Sequence, residues 1–149
     1  AMPKSIYDAS ARAALFARVD RLDPQATARW GNFTPPKMLS HLIDAVRMAL
    51  GDLPVPQRKS FLSNRVVRYL ILHVFPFPKG APTARQLLER APENWDSDVA
   101  ALKGIIERAA AQSSGGTWQP HPAFGVLSTA DWGVLIHKHV AHHLTQFGV

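Results

Sequence analysis

The sequence contains no cysteine. That removes disulfides as a source of stability and thiolates as ligands or nucleophiles, so any metal would have to be held by nitrogen or oxygen. Long apolar runs are also missing. The most apolar stretch, Val66 to Phe75, is interrupted by Arg68 and His73 and is far shorter than the ~20 residues that span a bilayer. No run of alternating β-branched residues is bounded by an Asn-Gly or Asp-Gly turn, so strand signals are nearly absent. The sequence also lacks G-x-S-x-G, a phosphate-cradling G-x-x-x-x-G-K-S/T and G-x-G-x-x-G. Acidic residues are outnumbered, 11 against 17 Lys and Arg, for a net charge of +6. The cations are scattered apart from a modest cluster at Arg58, Lys59, Arg65 and Arg68, and no nucleic-acid-binding pattern accompanies them. This balance predicts attraction for a small anionic substrate and no nucleic-acid partner. The N-terminus shows no basic segment followed by an apolar one, and Ala1 ahead of Met2 reads as a scar, set aside for fold reasoning. A cytoplasmic protein with no membrane association is expected.

What is present is a globular make-up, with 46% hydrophobic and 19% charged residues in 149. That length is enough to bury a single core, so one domain over residues 2–149 is expected. Helical periodicity runs through it. A first helix is predicted from Tyr7 to Arg21, stopped at Asp23-Pro24. A second opens at "FTPPKMLSHLIDAVRMAL", with Thr34 as N-cap, Pro35 in the first turn, and Met38, Leu42, Ala45 and Ala49 as the inward stripe; Gly51 ends it. A third spans Phe61 to Val74. Thr83 to Gln86 has the form of a capping box and predicts a short helix ending at Pro92. A fourth long helix covers Trp95 to Ala111, with Trp95, Val99, Leu102, Ile106 and Ala109 on one face. Ser128, three residues before Asp131, marks the start of the last. The fold class expected is all-α, a helical bundle.

The final helix carries four of the seven histidines, in "HKHVAHHLTQFGV". Apolar residues alternate with them, so this is not a tag. Helical residues advance about 100° each. With His137 at zero, His139 falls at ~200° and His143 at ~240°, on either side of Trp132 at ~220°. His139 and His143 therefore share the apolar face one turn apart, where two imidazoles can converge on one ion. His137 lies well away from that face, and Lys138, Ala141 and Thr145 point outward. A third inward histidine, His41, sits between Met38 and Ala45 on the second helix. One divalent cation would satisfy three buried neutral imidazoles together. The alternative is that each is a core-edge histidine bonded to a backbone carbonyl.

"MLSHL" on the second helix and "HVAHHLTQFG" on the last resemble the DinB-like (YfiT-like) four-helix metalloprotein superfamily. The wider pattern "RWGNFTPPKMLSHL … FPFPKGAPT … HPAFG … DWGVLIHKHVAHHLTQFG" is similar to one subgroup of it. The resemblance implies a four-helix bundle with a crossing connection and, here, an extra short helix. It also implies a zinc- or nickel-like ion and frequent dimerisation, so a homodimer is expected. His41, His139 and His143 match the ligand positions; His142 and Gln146 match accompanying polar positions. Characterised relatives include hydrolases and transferases or isomerases that use a low-molecular-weight thiol.

Three neutral ligands leave an ion its full charge and an open position, the mark of a catalytic site. Such an ion can acidify a water or bind a thiol as thiolate. A general base is harder to find. Asp44, one turn after His41, can bond a ligand imidazole or stand in solvent. His142 can shuttle a proton or cap the helix end. His121 in "HPAFG" can close over the site or anchor its loop. His73 and His137 read as structural, and the four tryptophans as core or loop anchors. The expected function is that of a metal-dependent hydrolase or thiol-dependent transferase on a small molecule. The alternative is a non-catalytic metal- or ligand-binding module.

Overall fold

Side-chain caps set the helix boundaries in the computed structural model, which describes residues 3–149. Five α-helices form: α1 (Ala9–Asp20), α2 (Pro35–Leu50), α3 (Arg65–His73), α4 (Trp95–Ala110) and α5 (Thr129–Gln146). Thr34 accepts the Lys37 amide ahead of α2, Asn94 accepts the Ser97 amide ahead of α4, and Ser128 accepts the Asp131 amide ahead of α5. Each satisfies one amide that a helix start leaves without a partner. Gly51 closes α2 in the left-handed region, at φ 88°, where a side chain would be strained.

Two expectations are corrected. The helix predicted over Phe61 to Val74 is divided into a 3-10 turn at Phe61–Ser63 and α3. Asn64 is extended there and its side chain accepts the Val66 and Val67 amides, so it starts a new helix instead of continuing the old one. The short helix expected from Thr83 is only a 3-10 turn, Arg85–Leu87, with Ala84 at its start and no capping side chain. An α-helix there would spend the Leu87 carbonyl on the amide four residues later. That carbonyl instead faces His41 Nδ1 at 3.1 Å.

No strand occurs among the described residues; an isolated bridge pairs His121 with Gly125. The architecture is all-α, helix packed on helix. The axis of the packing is α2, which buries Met38, Leu39, Leu42, Ile43, Val46 and Ala49. Its main partner is α4, through Leu102, Ile106 and Ala109, and it also touches α5. Each fully buried Leu, Ile or Met contributes about 1.5–3 kcal/mol from leaving water. Trp132 is buried on α5 and stacks on Trp118, ring centroids 5.6 Å apart. The N-terminal segment lies against α5 where Ile6 donates its amide to the Gly133 carbonyl at 3.2 Å. Gly133 permits that approach: a Cβ there would come within 2.4 Å of Tyr7.

Lys138 does not simply point outward. Its ammonium donates to the carbonyls of Ile71 and Phe75, at the C-terminal end of α3, where a cation is favoured by the helix dipole. No described helix is long and apolar enough to cross a membrane.

Candidate metal centre

His41 is fixed by α2, whose packing on α4 leaves it 1% exposed. His139 and His143 project from α5, where it meets α2. One ligand-capable atom from each of the three lies within 4.8 Å of the others. The helical spacing on α5 supplies two of them, and α2, 98 residues away along the chain from His139, supplies the third. Together they can hold a metal ion.

The far sides of two rings are tied down. Nδ1 of His41 donates to the Leu87 carbonyl at 3.1 Å, and Nδ1 of His143 donates to Gln146 Oε1 at 2.6 Å. Gln146 is itself held, its Nε2 donating to the Trp30 carbonyl at 2.8 Å. This chain fixes the tautomers: with Nδ1 protonated, the Nε2 of each neutral ring carries a lone pair. His41 Nε2 lies 3.1 Å from His139 Nε2, so in the metal-free chain His139 is the donor of that contact. The separation is close to the ~3.3 Å edge of a tetrahedron with ~2.0 Å metal–nitrogen bonds. The donor set and its outer hydrogen bonds therefore suit a divalent ion.

Burial pushes His143 down to about 3, helped by His41 and His142 and opposed by the Gln146 hydrogen bond. Burial likewise holds His139 well below the ordinary imidazole range, with the other three neighbouring histidines, His41, His143 and His142, and then His121, acting in the same direction. His41 is lowered by burial too, against the pull of the Leu87 bond and the Asp44 charge. All three are thus neutral at pH 7, the state a metal requires.

Aromatic rings enclose the triad. Phe33 stacks on His41 at 5.1 Å and meets His143 edge-on at 5.4 Å, while Phe77 lies 6.1 Å from His139. The sequence reading missed both. Phe33 carried a usable signal, since it sits just before the N-cap of α2, where an apolar residue commonly packs back on the helix. Phe77 lies in an irregular Pro-flanked segment and carried none.

The remaining candidates separate. Asp44 is buried but does not bond a ligand imidazole: its Oδ1 accepts from Arg47 at 3.1 Å and from Arg90 at 2.9 Å. Neither reading made from sequence, a bond to a ligand or a solvated aspartate, describes it. Two guanidiniums hold the carboxylate: Arg47 from the next turn of α2 itself, and Arg90, which ties α2 to the segment after α3. His121 anchors its own loop. Its Nδ1 accepts the amides of Ala123 and Phe124, both at 3.0 Å, which leaves the proton on Nε2, and burial lowers its pKa to about 4. His142 is half-buried between Trp30 and Phe77, with its ring 5.2 Å from that of His143. His137 is buried on the opposite side of α5 and takes no part in the triad. His73 pairs with Asp131 at 3.1 Å. Of the basic cluster, Arg68 Nη1 donates to the carbonyls of Phe124 and Val126.

Gly31 makes the Gln146 arrangement possible. It adopts φ 74°, and a Cβ there would press to 3.1 Å from Gln146 Nε2. The profile of the family described as "Protein of unknown function (DUF1569)" matches residues 5–148. The chain belongs to that family. Among curated proteins and among solved structures, none matches. The family assignment names no activity, so the chemistry has to be argued from the triad.

Proposed function

We propose that this chain is a divalent-metal protein of the DinB-like four-helix type, acting on a small molecule as a metal-dependent hydrolase or thiol-dependent transferase. One observation carries the reading. Three neutral imidazoles from two helices far apart in sequence converge, and two of them are oriented from behind by Leu87 and Gln146. Isolated core histidines have no need to meet. His41, His139 and His143 would hold the ion, zinc or nickel by the nature of nitrogen donors. An ion so held would supply Lewis-acid polarisation at its open coordination position.

The chain's own residues do the rest. Phe33 and Phe77 exclude water from the flanks of the triad. The half-buried His139 marks the side that solvent reaches. His142 is the proton carrier closest to the triad, and the ammonium of Lys79 and burial both depress its pKa, burial more. It is therefore neutral at pH 7 and free to accept a proton there.

A second reading, a metal-holding module without a reaction, draws on Asp44. The one carboxylate near His41 is spent on two arginines, which leaves no acidic base at the triad.

Metal per chain, measured by elemental mass spectrometry after chelation and reloading, tests the proposal. One ion per chain is expected for the unmodified protein. His41→Ala, His139→Ala and His143→Ala should each reduce it sharply. His137→Ala should retain it, and His142→Ala should retain it while altering turnover. Equal loss from His137→Ala, or none from His41→Ala, would sink the proposed site.

A further inference from the structure

Behind the triad, on the other flank of α5, lies a cleft of about 450 Å³, within the range of small-molecule sites. Its charged lining is one-signed: Lys4, Lys79 and Lys138 contribute, and no carboxylate does. Lys138 is spent on the end of α3. Lys4 and Lys79 form no ion pair among the described residues, and the Lys79 ammonium stands 4.7 Å above the Trp30 ring. The walls are flat and apolar, built from Trp30, Phe77 and the His142 ring.

His137 also lines the cleft, 8% exposed, and its ring makes no hydrogen bond within the protein among the described residues. Its neutral ring carries one N–H donor in either tautomer. Two lysines without ion-pair partners, an imidazole N–H and no carboxylate in the lining all suit one kind of ligand, an acceptor with negative charge. The aromatic walls add a preference for a planar body next to that charge.

We propose that this cleft binds a small organic anion with a flat apolar body, its charged group held by Lys79 and His137 and its body against Trp30 and Phe77. The location gives the binding a purpose. Phe77 and His142 line the cleft, and their rings also border the triad, Phe77 at 6.1 Å from His139 and His142 at 5.2 Å from His143. These two rings are shared by cleft and triad, so a substrate seated in the cleft lies beside the metal centre. The proposal rests on the metal-protein reading for that reaction, but the binding itself does not.

Benzoate, benzamide and benzylammonium share one shape and differ in charge. Titrating each into chelator-treated and into zinc-loaded chain, followed by amide and indole NMR shifts, tests the assignment. Benzoate should bind in both states, shifting the Trp30 indole and the amides around His137, and should bind at least about fivefold more tightly than benzamide. Benzylammonium should not bind. Lys79→Ala, at an exposed position, should weaken benzoate about fivefold, and His137→Phe should abolish the shifts. Both variants should keep the metal content of the unmodified chain. Equal binding of benzoate and benzamide, or no effect of Lys79→Ala, would overturn the proposal. So would benzoate binding that appears only with zinc and moves only triad signals, since the carboxylate would then be a metal ligand. Because the chelated chain is assayed separately, failure of the metal reading leaves this result intact.

Discussion

Acidifying the metal-free chain from pH 7 to pH 5 should destabilise it by several kcal/mol. A histidine in the unfolded chain gains its proton near pH 6.5. His143 folds with that value pushed down to about 3, and His121 to about 4. Above pH 6.5 neither state is protonated, and these groups contribute nothing. Below it the unfolded state binds protons that the folded state refuses, so stability falls as pH falls, until the folded values are reached. At pH 5 each group costs RT ln(1 + 10^1.5), about 2 kcal/mol. The pair costs roughly 4 kcal/mol, against a typical total of about 5–15 kcal/mol for a domain. His41, His139, His137 and His142 are lowered in the same direction, burial being the leading cause in each, and act in the same sense as that figure. For a chain of this size it corresponds to a fall in Tm of about 10 °C. Ordinary carboxylates stay largely ionised over this window, which leaves the histidines in control. The assay is thermal unfolding by circular dichroism at pH 7, 6 and 5 with chelator present. His121→Gln should flatten the dependence by about 1.4 kcal/mol per pH unit. A Tm that moves by less than about 3 °C between pH 7 and 5 would refute the claim that these imidazoles fold neutral.

Two further outcomes are expected. Gln146→Leu keeps the volume but removes both the acceptor behind His143 and the donor to Trp30, so metal affinity should fall about 10- to 100-fold, measured by competition with a chelating dye, and stability should drop by about 1–3 kcal/mol. Asp44→Asn weakens the contacts to Arg47 and Arg90, both partly exposed; it should cost about 1–2 kcal/mol in urea unfolding while metal content stays as in the unmodified chain.

The parts of this molecule that could be read in its sequence are those governed by local chemistry. Thr34 with Pro35, Gly51 and Ser128 marked the ends of α2 and the start of α5 to the residue, because caps answer to the few amides and carbonyls next to them. The triad was legible for a related reason: the turn angle of a helix alone places His139 and His143 on one face, and His41 declared itself by its apolar neighbours. What escaped was decided by other segments. Nothing near Asp44 indicates that Arg90, 46 residues on, will claim its carboxylate. The wheel set His137 away from the triad but could not show that this other flank is covered, by the N-terminal segment and the residues around Phe77, into a cleft. Nothing near Thr83 indicates that the turn after it will present the Leu87 carbonyl to His41, 46 residues back along the chain.

The distance along the chain between the ligands has a consequence for how the protein acquires its shape. Helices and their caps are built from near neighbours and can form within microseconds. His41 and His139 stand 98 residues apart, so the closure that brings them together carries the entropy of a long loop and waits for α2 to dock on α5. A collapsed chain with all its helices and no fixed packing would have normal helicity and no triad. Metal uptake by the three imidazoles, if the proposed site binds an ion, would therefore report on finished tertiary structure, where a helical spectrum would register only the earlier step.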